Sequence, residues 1–393
     1  MLESWDVLVV GGGVMGASAA YWLTRQQLGL RVLVVEMDPS YARAATALSV
    51  ASVRLQFSNP VNVAISRFGV GFIRDFQAAL GRDVGIPTLG LRENGYLFLA
   101  GTPDAASRLQ SLAAMQRDLG AATEVLDPAA LAARFPWLNL EDVSAGSFGP
   151  RDEGWFDNMG LLNGFRLAAR AQGAEFRRDR VVRLLREGDR VTGAELASGG
   201  RIAAGAVLNA AGTRAAALMR ELGEALPVEP RKRTVFVIDA PNARHPDAPL
   251  LIDHTGFYMR PEHGQWIIAT VPEVDPAVDP DDFEPDANQF EEIIWPLVYA
   301  RAPGFDAVKV VRLWVGQYDY NLLDQNAIVG RWPGLEGLYV LNGFSGHGLQ
   351  QSPAMGRGIA ELILTGAYQS LDLTPLGAER LAASQPVLEQ AIV

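Results

Sequence analysis

The stretch DVLVVGGGVMGASAAYWLTRQQLGLRVLVVE, Asp6 to Glu36, decides the fold. Val7-Leu8-Val9-Val10 is a short, mostly β-branched apolar run, suited to a strand buried on both faces. Helical spacing follows from Val14 to about Gln27, and Gly29 stands where a helix would stop. Arg31 to Glu36 is a second buried strand, so the stretch reads as one βαβ-type unit. Its turn carries Gly11, Gly13 and Gly16 in the G-x-G-x-x-G pattern. Gly11 permits the tight turn, Gly13 lets backbone amides approach a pyrophosphate, and Gly16 allows close helix–strand packing. Glu36 ends the second strand, where an acid accepts hydrogen bonds from ribose hydroxyls. A glycine-rich turn without a ligand could use the same three residues. The strand, the helix, the second strand and the terminal acid together favour a dinucleotide site.

A second glycine cluster lies near the other end of the chain. LYVLNGFSGHGLQQSPAMGRGIAELI, Leu338 to Ile363, again reads strand, glycine loop, helix, with Pro353 in the first helical turn. A loop at the carboxyl end of a parallel strand would stand beside a bound dinucleotide. A helix-capping loop is the plainer reading. No internal repeat links the two units, so they are assigned to one interrupted domain.

Between them, helices are expected over 60–80, 104–119, 127–134, 154–172 and 288–300. Strands are expected at 97–99, 206–212, 308–318 and through most of 228–272, including a hairpin around Glu262-His263-Gly264. The segment PEVDPAVDPDDFEPD, 272–286, is rich in proline and acid and reads as an exposed loop. The fold class expected is α/β (α+β overall): a Rossmann-like domain from 1–85, 145–225 and 325–393, and a mostly antiparallel sheet domain from 86–144 and 226–324.

Composition bounds the function. With 393 residues the chain exceeds one ordinary core, and 49% hydrophobic with 20% charged residues describes a globular protein. The net charge of −11 argues against nucleic acid as a partner. Cysteine is absent, which removes disulfides, thiolate chemistry and cysteine-bound metal. The four histidines show no metal-ligand spacing, so no metal is expected. No apolar run is long enough to span a bilayer. The first strand begins almost at once, leaving no room for a leader, and a cytoplasmic location is expected.

Several motifs together carry a resemblance over nearly the whole length: GGGVMGASAAYWL, SVRLQFS (52–58), EGWFDNMGLLNGFRLAARAQGAEF (153–176), LNAAG (208–212) and GFSGHG (343–348). The chain resembles the D-amino-acid oxidase superfamily of flavoproteins, which includes sarcosine oxidases, glycine oxidase and amino-acid dehydrogenases. WVGQYDYNLLDQNAIVG (314–330) and GFSGHGLQQSP (343–353) are especially similar to one branch. That branch contains a mitochondrial FAD-dependent oxidoreductase-domain protein implicated in respiratory complex I assembly.

The resemblance implies FAD. Gly11, Gly13, Val14, Met15, Gly16 and Glu36 would hold its ADP half. Arg43, Ala45 and Thr46 would pass beside it, and Val182 would meet the adenine. Ala211 and Gly212 would touch it at a turn. Gly343, Ser345, Gly346, His347, Gly348, Leu349 and Gln350 would line the isoalloxazine. Some relatives attach flavin through cysteine or an early histidine; the first histidine here is His245, so noncovalent FAD is expected. The lysine that promotes oxygen reduction in sarcosine oxidases falls in the apolar Trp266-Ile267-Ile268, and Gln350 replaces a carboxylate-binding lysine. Tyr318 stands where many relatives place a carboxylate-clamping arginine. A dehydrogenase is therefore favoured over an oxidase.

The activity expected from the resemblance is oxidation of an amino acid or N-substituted amino acid, with hydride passing from the C–H next to nitrogen to the flavin and hydrolysis of the imine. The partners would be that amine and an electron acceptor: oxygen, a quinone or an electron-transfer protein. Arg54 is the leading carboxylate clamp, a surface arginine being the alternative. Tyr258 and Arg260 share one strand face by period-two alternation and would look onto the flavin, with Tyr318 as a further hydroxyl donor. Arg233, one of three consecutive basic residues, ranks below them. His347 is read as a hydrogen-bond donor at the flavin edge rather than a general base. The rival class is a flavoprotein binding or assembly factor with little turnover.

Overall fold

The structure is a computed structural model that describes residues 3–81 and 85–390. Residues 1–2, 82–84 and 391–393, which the sequence division also assigns, lie outside the described residues. Two large mixed layers make up the molecule. In the first sheet the strands run in the order Ile328–Arg331, Leu338–Asn342, Arg201–Asn209, Glu3–Val10, Val32–Glu36, Glu175–Arg178. Glu3–Val10 lies in the middle, parallel to Arg201–Asn209 on one side and to Val32–Glu36 on the other. Its burial explains the unbroken apolar run: Leu8 and Val9 are fully inaccessible, and they belong to clusters on opposite faces of the sheet. The helix Val14–Gln26 packs on one face with Asn158–Ala171 and Gly348–Thr365. The hairpin Val181–Glu187/Arg190–Leu196 extends the sheet antiparallel to Arg201–Asn209.

The second sheet runs Lys309–Asn321, Val228–Asp239, Gln265–Thr270, Phe257–Glu262, Leu250–Ile252, Tyr96–Ala100, Ala145–Gly149, Glu124–Leu126. It is antiparallel except where Leu250–Ile252 lies parallel to Tyr96–Ala100. One face holds Leu97, Phe236, Phe257, Met259 and Trp266 against the helical segment 290–301; the other holds Tyr96, Val235, Tyr258 and Ile267. The expected hairpin forms, with His263 and Gly264 both at positive φ (47° and 80°), as a two-residue turn of this hand requires. Ala145–Gly149 lies in this second sheet, although the sequence division placed it with the first.

Three element boundaries differ from the expectation. The helix expected over 154–172 begins at Asn158, because Asp157 caps it by accepting from Gly160 N, and Gly154–Trp155 pairs instead with Ser52–Val53. The last long helix begins at Gly348, which puts Pro353 in its second turn rather than its first. Proline there cannot donate to the Leu349 carbonyl four residues back, and Ser352 Oγ donates to that oxygen instead at 2.9 Å. The helix expected over 60–80 is split at Asp75 into Pro60–Arg74 and Phe76–Leu80. Among the described residues no helix is long and apolar enough to cross a membrane.

Candidate active site

A cavity of about 1020 Å³ opens where the strands of the first sheet end and the second sheet faces them. Its lining starts at Val10, Gly11, Val35, Glu36, Ala210 and Ala211, the carboxyl ends of the three central parallel strands. The chain leaves Glu3–Val10 with a neighbour on each side at this point, the switch at which α/β sheets bind ligands. Gly11 has φ 96°, and a Cβ there would lie 2.5 Å from the Ala210 carbonyl oxygen. A Cβ on Gly16 would lie 1.9 Å from Gly11 O, so Gly16 serves packing and does not itself line the cavity. The helix Val14–Gln26 opens on Gly13 without a side-chain cap, aiming its positive end into the cavity. Glu36 accepts from Gly12 N at 2.7 Å and from Asp38 N at 2.8 Å. Burial pushes its carboxyl above the usual range, against the pull of those amides.

The rest of the proposed cofactor set is distributed around the same space. Val14, Met15, Arg43, Ala45, Thr46, Val182 and Gly212 line the cavity, and Thr46 Oγ1 accepts from Val14 N at 3.1 Å. Of the second glycine loop, Phe344, Gly346, His347, Gly348, Leu349 and Gln350 reach the cavity. Gly343 and Ser345 do not, contrary to expectation. Gly343 N donates to Asp319 Oδ2 at 2.8 Å, while Ser345 Oγ accepts from Asn321 N at 3.0 Å. Both residues hold the loop from behind, at positive φ (73° and 50°).

Arg54, His347 and Gln350 come together at the far end. Arg54 is 2% exposed, so it is no surface arginine. Its Nη2 lies 3.0 Å from His347 Nε2, its Nη1 donates to Gln56 O, and its backbone N donates to Gln350 Oε1. Its guanidinium carbon sits 4.3 Å from the Phe57 ring centroid and 5.7 Å from that of Tyr96. A guanidinium only donates, so Nε2 is the accepting atom in that contact. Tyr258 lines the cavity and shares a hydrogen bond with Tyr318. Burial, with Tyr318 adding to it, raises the Tyr258 hydroxyl well above its ordinary range, so it stays protonated.

Arg260 does not look onto the cavity as expected. Its Nε donates to Val50 O, its Nη1 is paired with Glu262, and its guanidinium stacks 5.1 Å from the Trp155 ring. The alternation was right and places Arg260 on the face of Tyr258, but one residue pair farther along the strand its charge is spent on a local acid.

Three features escaped sequence reading. Asp319, half-buried at the cavity wall, accepts the amides of Gly343 and Phe344 and so fixes the glycine loop. Desolvation, partly offset by those amides, pushes its carboxyl up to about 6. Glu153 is buried behind Arg54 and accepts from Leu55 N and Gln56 Nε2, both at 2.8 Å; desolvation raises it to about 7. The third is the acidic segment. Val278, Asp279, Pro280, Asp281 and Phe283 form part of the cavity wall. Asp275 pairs with Arg233, Asp281 with Arg214, and Asp282 with Lys232. The segment is solvated yet strapped down by cations distant in sequence, which composition alone does not reveal.

The lining thus runs from an acid at a strand end, past a helix N-terminus, to a glycine loop facing aromatic and cationic side chains. That order of groups suits an extended dinucleotide with a ring at one end. The sequence profile of the FAD dependent oxidoreductase family matches residues 6–362. The chain belongs to the FAD dependent oxidoreductase family. FAD dependent oxidoreductase domain-containing protein 1 of Xenopus laevis is 38% identical, the match covering 100% of this chain and 85% of that one. Rat (Rattus norvegicus) mitochondrial dimethylglycine dehydrogenase is 24% identical over 94% of this chain and 44% of its own. In fold, the L-proline dehydrogenase of P. horikoshii superposes with a TM-score of 0.85 at 24% identity, covering 98% of this chain and 100% of that one. The protein is an FAD-binding oxidoreductase with a Rossmann-like fold.

Proposed function

We propose that the protein oxidises an amino acid or N-substituted amino acid at the carbon next to nitrogen, the imine then being hydrolysed by water. The observation that carries this is Arg54, a buried cation on the cavity wall beside the glycine loop, ringed by aromatic side chains. When bound, FAD supplies the two-electron oxidant for the C–H bond. The protein's part is orientation. Arg54 binds the substrate carboxylate, and Tyr258 and Tyr318 offer hydroxyls beside it. His347 is read as holding the arginine in place rather than as the base, since its Nε2 faces the Arg54 guanidinium at 3.0 Å. Tyr258, kept protonated, serves only as a hydrogen-bonding group.

Electron transfer to a carrier, a quinone or an electron-transfer protein, is favoured over reaction with oxygen. No lysine is among the residues lining the cavity: Lys232 is paired with Asp282 and Lys309 is exposed.

The test is anaerobic titration of the yellow protein with sarcosine, dimethylglycine, proline, D-amino acids and N-carboxyalkyl amino acids. Bleaching of the oxidised flavin band by one class, with slow recolouring in air, is expected. A flavoprotein that no amine bleaches would point instead to a binding role.

A further inference from the structure

The cavity wall carries a second buried arginine. Arg233, in the strand Val228–Asp239, is 3% exposed and grips Asp275 with both terminal nitrogens, Nη1 to Oδ1 at 2.7 Å and Nη2 to Oδ2 at 2.8 Å. This is the two-pronged geometry in which arginine recognises a carboxylate. The carboxylate it holds comes from the strap at 272–286, which around Asp275 has neither helix nor strand, and the Asp275 side chain is 22% exposed. The Tyr318 ring centroid lies 5.1 Å from the Arg233 guanidinium carbon, Tyr318 is hydrogen-bonded to Tyr258, and Tyr96 lies against Arg54. Arg54, the three tyrosines and Arg233 all line one cavity. The tyrosines thus connect the two arginines along the cavity wall, Tyr96 beside Arg54 and Tyr318 beside Arg233.

We propose that Arg233 is a second carboxylate subsite and that the preferred substrate is an amine bearing two carboxylates, one held by Arg54 and the other taking the place of Asp275. The inference rests on the reading of Arg54 as the first clamp. Exchange at Arg233 swaps one carboxylate for another, so the buried guanidinium is never left unpaired, which would be costly. Asp275 comes from a partly exposed, irregular segment, so its release returns a charge to water. For a substrate with one carboxylate, Asp275 stays in place and contributes nothing to binding. Asp275 is thus an internal competitor that sets specificity, and Arg233 is a specificity-determining residue.

The sign of two substitutions separates this from a structural ion pair. The probes are thioethers, which lack the amine and are not oxidised: methylthioacetate, with one carboxylate, and (carboxymethylthio)alkanoates with two to four carbons in the second acid arm. Binding to the FAD-loaded protein is read from the perturbation of the flavin absorbance. At least one diacid is expected to bind tenfold or more tighter than methylthioacetate. Arg233→Met is expected to abolish that preference while leaving methylthioacetate within about twofold. Asp275→Asn is expected to tighten the diacid at least threefold, because the competitor is gone. A structural pair predicts that both substitutions act in the same direction on both probes, and that result overturns the proposal. Should Arg233→Met fail to fold, Asp275→Asn alone decides, and diacid binding that is unchanged or weaker overturns it. The two readings fail separately. Diacid preference with no amine able to bleach the flavin removes oxidation and keeps the subsite. Bleaching by amines without diacid preference removes only the subsite.

Discussion

At the scale of single residues, the site is governed by charges held out of water. Arg54 is the clearest case. Replacing it with alanine is expected to cost about 2–5 kcal/mol of substrate binding, the range for truncating one member of a buried charge pair. Titration of the variant with the amine that bleaches the wild type measures it, and unchanged affinity removes Arg54 from the site. Glu153 makes a prediction about pH. Its carboxyl is raised from the ordinary 4.5 to about 7, so the folded state holds the proton more tightly than the unfolded chain. Its contribution to stability is full below the unfolded value and is lost as pH rises through about 7. Relative to Glu153→Gln, the wild type should lose up to about 3 kcal/mol between pH 4.5 and pH 8. Urea unfolding of both proteins across that range checks it, and parallel curves would refute the assignment. Arg54 was legible in the sequence through the SVRLQFS motif, but Glu153 and Asp319 were not. An acid looks alike in the sequence whether it faces water or the backbone of a buried loop, and only the fold decides which.

Secondary elements were read most reliably where sterics leave one solution. The turn between Val10 and Val14 is such a place, since a Cβ on Gly16 would stand 1.9 Å from Gly11 O. Gly16→Ala must push the helix off the strand, and its N-terminus away from the cavity. The expected result is at least a tenfold loss of FAD affinity, measured by quenching of flavin fluorescence on reconstitution of the apoprotein. Affinity equal to wild type would show that the packing can give. Helix starts were read less well. Proline at 353 suggested a first turn, but the seryl hydroxyl beside it accommodates the imide one turn later. The acidic segment is the exposed loop that its composition predicts, but its ion pairs were not legible: its partners Arg214, Lys232 and Arg233 lie 40 to 70 residues away, outside any local window.

For the molecule as a whole, the cavity lies between two sheets and is walled by both. A ligand filling it binds only the folded state, so stability must follow ligand concentration. FAD at about 100 times its dissociation constant should add about 2.7 kcal/mol. Scanning calorimetry at increasing FAD should show a rising midpoint, and a midpoint independent of FAD would contradict a cavity shared by both layers. The fold class was readable because the strand–glycine–helix units at the two chain ends each carry their own signal. The pairing of Ala145–Gly149 with the second sheet carries none, because that strand is short and two of its five residues are glycine.

The closure of those distant ends has a temporal side. Ser18 Oγ donates to Ser352 O, 334 residues later, and Gln390 N donates to Ser58 Oγ, 332 residues earlier. At a synthesis rate of about 5–20 residues per second, the ribosome needs roughly 17 to 67 s to deliver the second partner of the first pair. For the first part of that interval, until Ala206 to Asn209 has been made about 200 residues downstream, Val7 to Val10 can pair with Val32 to Val35 on one side only. The nascent chain therefore carries an open, apolar strand edge for about half of its synthesis, and the cavity wall is complete only once Gln350 has been made.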